Sequence, residues 1–195
     1  MPEPSTELSA RGAGKLILVV GPSGSGKDTL IEAARRHFEG EETIVFCRRC
    51  ITRADQKGEA HEFVSDNEFE RMKADGAFFL SWDAHGLHYG VSASIRDNLM
   101  GGRNVVVNVS RSVIAEARRQ WPDTHVINIW ARPEVLRQRL EARGREAAEN
   151  IGKRLERAGD VALPDAEWVH QIDNSGSIAS GSARFLALIG GIVSA

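Results

Sequence analysis

The segment that most limits what this chain can fold into is Gly21-Pro22-Ser23-Gly24-Ser25-Gly26-Lys27, which fits the spacing G-x-x-x-x-G-K. It follows the apolar run Leu16 to Val20, which reads as a buried strand, and it precedes a helical stretch reaching about Phe38. Strand, glycine-rich turn and helix in that order make an anion cradle. The glycines let successive backbone N–H groups converge on one anion, the helix adds the positive end of its dipole, and Lys27 adds a mobile charge for β- and γ-phosphates. The expected polyphosphate-binding set is therefore Gly21, Pro22, Ser23, Gly24, Ser25, Gly26, Lys27, Asp28 and Thr29, with Lys27 also serving catalysis. Asp28 stands where Ser or Thr usually follows the lysine. A carboxylate is a good hard-cation ligand, so Asp28 is expected to hold Mg²⁺ directly or through water, with Thr29 as the rival.

The rest of the chain alternates strand and helix. A strand is expected near Thr43 to Cys47, a helix from Asp66 to Ala74 behind a Ser65/Glu68 capping box, and an aromatic-rich stretch over Ala77 to Trp82. A helix from Ala93 to Met100 leads into the apolar strand Asn104 to Val109. Then come a helix over Ser110 to Gln120, a strand over Thr124 to Trp130, and a helix from Pro133 to Arg143. A helix around Asn150 to Ala158, a strand near Glu167 to Ile172 and a helix from Ser177 complete the order. Such alternation predicts an α/β fold with a P-loop core, its parallel sheet covered by helices on both faces. Residues 1 to 14 show no period and read as a mobile leader, with one domain over 15 to 195.

With Lys+Arg 25 against Asp+Glu 27, the net charge of -2 gives no reason to expect a nucleic acid or a membrane surface as partner. No apolar run approaches a membrane span, and the polar start lacks the plan of a signal peptide, so a soluble cytoplasmic protein is expected. Cys47 and Cys50 are the only cysteines. Their C-x-x-C spacing falls in an expected strand, where positions three apart face opposite ways, so they read as small strand residues and not as a redox or zinc pair.

Several motifs are similar, in order and spacing, to the guanylate kinase family. They are Gly21 to Thr29, Thr52-Arg53, Gly58-Glu59, His61 to Ser65, and His85-Gly86-Leu87-His88-Tyr89-Gly90, within a resemblance spanning about Lys15 to Asn174. It implies an inserted acceptor-binding region at about 47 to 95 and an Arg-rich lid at about 137 to 157 that closes over ATP phosphates. Arg139, Arg143 and Arg154 match the catalytic lid arginines, while Arg137, Arg145, Lys153 and Arg157 complete a basic run. Two departures bear on the acceptor. Leu80 stands two residues after the opening aromatic Phe78, where guanylate kinases carry a base-reading Glu, and Gln56 stands where they carry a second Arg. Leucine cannot accept hydrogen bonds from a guanine edge, and a site built to read a polar edge loses discrimination without its partner.

The remaining pattern resembles a narrower group, the ribose 1,5-bisphosphate phosphokinases of bacterial phosphonate breakdown. It rests on GPSGSGKD, Arg49-x-x-Thr52-Arg53, Gly58-Glu59-x-His61, Trp82-x-Ala84-His85-Gly86-Leu87-x-Tyr89-Gly90 and Val107-Asn108-x-Ser110-Arg111. The resemblance implies a small sugar-phosphate acceptor phosphorylated at the expense of ATP with Mg²⁺. Such an acceptor calls for Arg, His and Tyr donors, and Arg49, Arg53, His61, His85 and Tyr89 are the candidate contacts. Two further readings remain open at this level. One is a guanylate-type nucleoside monophosphate kinase; the other is an inactive binding module of the same fold, against which the intact Lys27 argues. A small-molecule hydroxyl kinase would want a base, for which Asp83 is the candidate.

Overall fold

A computed structural model describes residues 12–54, 61–142 and 163–195 of the 195-residue chain. Strand β1 (Leu16–Val20) leads into helix α1 (Lys27–His37), as the sequence predicts. All five residues of β1 are buried, as a Leu-Ile-Leu-Val-Val run with no polar face requires. Two sheets organise the remaining strands. The five-stranded sheet contains β2 (Ile44–Phe46), β7 (Asn104–Asn108), β8 (Thr124–Trp130) and β9 (Val169–Asp173), in the order β2-β7-β1-β8-β9. Ile44 faces Asn104 in the parallel pair β2/β7, and Ile129 faces Ile172 in the parallel pair β8/β9. The four-stranded sheet contains β3 (Cys50–Ile51), β4 (Glu62–Phe63), β5 (Phe78–Ala84) and β6 (Leu87–Ser92), in the order β4-β3-β6-β5. The chain divides into two compact units, Met1–Leu18 with Gly40–Thr124 and Val19–Glu39 with His125–Ala195, the first boundary falling within β1.

In the first unit, helix α2 (Asp66–Ala74) opens on Ser65, whose hydroxyl accepts the Glu68 N–H at 3.3 Å. The helix buries Phe69, which joins Cys50 and Val64 in a small core and stacks on Phe78 at 4.7 Å. Strands β5 and β6 form a hairpin whose two-residue turn is His85-Gly86, with φ of 55° and 71°. Positive φ at both positions is the turn that matches strand twist, and it fixes the register Ala84↔Leu87, Asp83↔His88, Trp82↔Tyr89. Helix α3 (Ile95–Met100) starts later than expected. Ser94 N–H bonds to the Ser92 hydroxyl at 3.2 Å and Ala93 N–H to the Ala77 carbonyl at 2.8 Å, which holds 92–94 in a turn. Helix α4 (Ile114–Gln120) is preceded by a 3₁₀ turn, Arg111–Val113, capped by Ser110, where one continuous helix was expected. The two cysteines do not share a strand as expected. Cys47 follows β2 and Cys50 lies in β3, strands of different sheets.

In the second unit, α1 packs against α6 (Ile178–Ser194), which buries Gly181, Phe185, Ile189 and Ile192 and is capped by Ser177. Helix α5 (Pro133–Ala142) buries Leu136 and Leu140. On adjacent strands, His125 Nδ1 and His170 Nε2 are 3.2 Å apart with their rings stacked, and burial lowers the His170 pKa. No helix among the described residues is long and apolar enough to cross a membrane. Gln56, Gly58-Glu59, the expected helix around 150 to 158, most of the expected leader, and Arg143, Arg145, Lys153, Arg154 and Arg157 lie outside the described residues.

Candidate active site

The loop Gly21 to Gly26 joins β1 to α1 in the second unit, and four of its carbonyl oxygens are engaged by side chains. Lys27 Nζ donates to the carbonyls of Gly21 at 2.7 Å and Pro22 at 3.0 Å. Arg139 Nη1 reaches the carbonyls of Gly24 and Ser25, each at 3.5 Å, and Asn174 Nδ2 donates to Ser25 O at 2.7 Å. A trans peptide points its N–H opposite to its C=O, so the bonds to Pro22 O and Ser25 O orient the N–H groups of Ser23 and Gly26, while the Ser25 N–H closes the loop on Pro22 O at 3.2 Å. The close approach requires glycine at two places. A Cβ on Gly21 (φ 143°) would stand 2.0 Å from Ile129 O, and one on Gly26 (φ 92°) 2.5 Å from Asn174 Nδ2.

Gly26 caps α1 without a side chain, so the opening turn of the helix takes no side-chain oxygen from its cap. Ser25 is fully buried, and its hydroxyl has no hydrogen-bond partner. A buried hydroxyl left without a partner in a glycine-rich loop at a helix N-terminus suits a bound polyphosphate. Asp28 sits half-buried in the first turn of α1, while Ser23 and Thr29 are exposed.

Arg139, expected in the lid, lies on α5 with its Nη2 on the carbonyl of Asn174 at 2.9 Å, so in this conformation it braces the loop. Strand, loop and helix, with the lysine at the loop's mouth, make a P-loop phosphotransferase core.

The first unit gathers most of the acceptor candidates around the hairpin. Arg49, 9% exposed, places its guanidinium 5.3 Å from the ring centre of Tyr89 and 5.9 Å from that of Trp82. Those two rings stack 5.4 Å apart at an interplanar angle of 6°. The ring contacts hold the guanidinium charge beside two aromatic side chains, and a guanidinium is a group suited to phosphate. His61 is buried and its Nε2 lies 2.6 Å from the carbonyl of Arg53, so it fixes the backbone of a second candidate cation. His85 occupies the exposed hairpin turn.

Leu80 is 2% exposed within β5, so the place of a base-reading acid is filled by buried hydrocarbon. Asp83 faces outward, its Oδ1 2.6 Å from His88 Nδ1, with Asp66 Oδ1 4.0 Å from the other ring nitrogen. Asn108, at the end of β7, is buried.

The cysteines are free thiols. Burial first, and then the Glu62 carboxylate 3.5 Å away, push the Cys50 thiol up to about 12, so it carries no thiolate for metal or redox work near neutral pH.

Sequence reasoning assigned no role to Trp82 or Asn174. Trp82 was accessible through the His85-Gly86 turn, whose register sets it directly across from Tyr89.

A family model for guanylate kinase matches residues 13–176. The chain is 48% identical over 177 residues to a ribose 1,5-bisphosphate phosphokinase of Acidiphilium cryptum, covering 91% of this chain and 93% of that one. It is 44% identical over 183 residues to a bifunctional ribose 1,5-bisphosphokinase-thymidine phosphorylase of Azorhizobium caulinodans, covering 93% of this chain but 26% of that longer protein. Among solved structures, a guanylate kinase of Anaplasma phagocytophilum superposes with a TM-score of 0.61 at 20% identity, covering 93% of this chain and 87% of that one, which shows the shared fold. The chain belongs to the guanylate kinase family of P-loop kinases and, within it, to the ribose 1,5-bisphosphate phosphokinases.

Proposed function

We propose that this chain transfers the γ-phosphoryl group of ATP to the 1-phosphate of ribose 1,5-bisphosphate, giving 5-phosphoribosyl 1-diphosphate and ADP in organic phosphonate breakdown. An oxygen of the acceptor phosphate bonds to the γ-phosphorus as its bond to the β,γ-bridging oxygen breaks. The observation that carries the choice of acceptor is the pairing of buried Leu80 with Arg49 laid against Trp82 and Tyr89. Arg49 offers a cation to phosphates, and Leu80 offers hydrocarbon to a purine where a base-reading carboxylate would stand. The acceptor oxygen is already anionic, so no general base is needed, and Asp83 is occupied with His88.

Arg49, Arg53 and Tyr89 hold the two acceptor phosphates, with His61 setting Arg53 and His85 serving from the hairpin turn. Lys27 leaves its carbonyl partners for the β- and γ-phosphates. Arg139, Arg143 and Arg154 stabilise charge on the transferring group, as their resemblance to lid arginines implies.

Among the described residues no three His, Cys, Asp or Glu side chains group to hold a metal. A single carboxylate in the first turn of α1, Asp28, fits Mg²⁺, which is typically held by one or two carboxylates together with phosphate oxygens and water. Asp28 is the carboxylate at the loop and would hold it, supplying charge neutralisation at the phosphates.

Phosphorus NMR of the products from ribose 1,5-bisphosphate, ATP and Mg²⁺ tests the reading. The expected outcome is a new diphosphate pair of resonances on the sugar together with ADP; ADP with unchanged sugar phosphates would refute it.

A further inference from the structure

One residue whose side chain holds the P-loop is given no part in the proposed reaction. Asn174 follows β9 and is 2% exposed. All of its backbone polar groups are used: its N–H donates to Trp130 O at 2.7 Å, and its carbonyl accepts from Arg139 Nη2 at 2.9 Å. The side-chain amide is clasped between two glycines. A Cβ on Gly26 would stand 2.5 Å from Nδ2, and one on Gly181 would stand 2.1 Å from Oδ1. Gly181 lies in the first turns of α6, donates its N–H to Ser177 O at 3.0 Å, and has no positive φ, so its backbone does not demand glycine. Room for Asn174 does.

Within this socket Nδ2 donates to Ser25 O at 2.7 Å, whereas Oδ1 is buried with no hydrogen-bond partner. A buried amide acceptor left unmatched is a cost, and an apolar side chain of the same volume would avoid it. The donor end is therefore the part of the amide that the fold uses. Holding the Ser25 oxygen orients the Ser25–Gly26 peptide, and because that peptide is trans, the Gly26 N–H points away from the Asn174 amide.

We propose that Asn174 is a positioning residue for the donor nucleotide: its carboxamide, held by Gly26 and Gly181, sets the Ser25–Gly26 peptide so that the Gly26 N–H meets the donor's phosphate. The proposal rests on the P-loop reading of the donor site. It gives Gly181, remote in sequence from the loop, an effect on nucleotide affinity that passes only through Asn174.

The test is a double-mutant cycle read by ADP binding in a titration calorimeter, with the full chain and no acceptor present. Wild-type binding is measured first, since no ADP binding there would refute the P-loop reading itself and not this inference. Asn174→Ala and Gly181→Ala should each weaken ADP binding about tenfold or more, the loss of one charge-assisted hydrogen bond, with the acceptor KM shifting less than about twofold. The double variant should bind no worse than Asn174→Ala alone, because the added Cβ at 181 no longer meets an amide.

A general packing defect would instead add the two losses and move both ligands together. Folding of each variant is checked by circular dichroism. Should Asn174→Ala fail to fold, Gly181→Ala decides: selective loss of ADP affinity supports the proposal. Unchanged ADP affinity in a folded variant, equal loss for both ligands, or additive losses would overturn it.

Discussion

Lys27 Nζ lies 2.7 Å from the carbonyl oxygen of Gly21, the first residue of the loop that this lysine closes. With a second bond to Pro22 O at 3.0 Å, the ammonium is held across the loop by groups it can exchange for phosphate oxygens. Lys27→Ala is expected to abolish phosphoryl transfer. It removes two partly buried hydrogen bonds, each worth about 1 kcal/mol net, so the fold should survive. Single-turnover kinetics and a thermal melt check the two halves. A folded variant with unchanged kcat would contradict the loop assignment.

Asp28→Asn should raise the Mg²⁺ concentration that supports half-maximal rate, because a neutral amide is the poorer ligand for a hard cation. ATP binding without metal should change little. The check is a Mg²⁺ titration of rate beside nucleotide binding in chelator; an unaltered titration would move the role to Thr29 or to water.

Arg49→Lys keeps the charge but loses the planar fork and the contacts with Trp82 and Tyr89. The acceptor KM is expected to rise about tenfold, in line with a guanidinium stacked on aromatic faces. Trp82→Leu should move it in the same direction while leaving the ATP KM alone. Steady-state kinetics with each substrate varied in turn decide this, and an unchanged acceptor KM in both variants would remove Arg49 from the site.

Much of this architecture was legible because it is local. Apolar runs and caps located β1, α2 and β8, and the glycine spacing located the phosphate loop. The Thr124–Trp130 strand and the Asp66–Ala74 helix have the bounds expected of them. What stayed hidden depends on contacts distant in sequence. Asn174 meets Ser25 across 149 positions, and no periodicity or capping rule connects them. His61 reads as a phosphate donor by residue type, yet burial turns its ring to the Arg53 backbone. The cysteines misled for a simpler reason: the turn after Phe46 carries the chain from one sheet to another within three residues.

Stability should fall in mild acid through His170, which stacks on His125. Burial depresses the His170 pKa below its ordinary 6.5, so as pH falls the unfolded chain takes up its proton first. The contribution is therefore complete above about pH 6.5 and is lost as pH drops through the folded-state value. Urea midpoints between pH 5 and 8 should show this slope, and His170→Gln should flatten it. An equal slope in the variant would assign the acid sensitivity elsewhere.

The central claim is that the acceptor is a sugar bisphosphate and not a nucleotide, and it rests on hydrocarbon at Leu80 and on Arg49 beside Tyr89. GMP would desolvate a purine edge against Leu80 without a hydrogen-bond partner, whereas ribose 1,5-bisphosphate presents two phosphates to the arginines and the phenol. The most direct measurement is kcat/KM for ribose 1,5-bisphosphate and for GMP at matched ATP and Mg²⁺. The expected ratio favours the sugar by at least about 10³, the scale of discrimination at sites that read polar groups. Equal or better turnover of GMP would contradict the account and make the chain a guanylate kinase in activity as well as in fold.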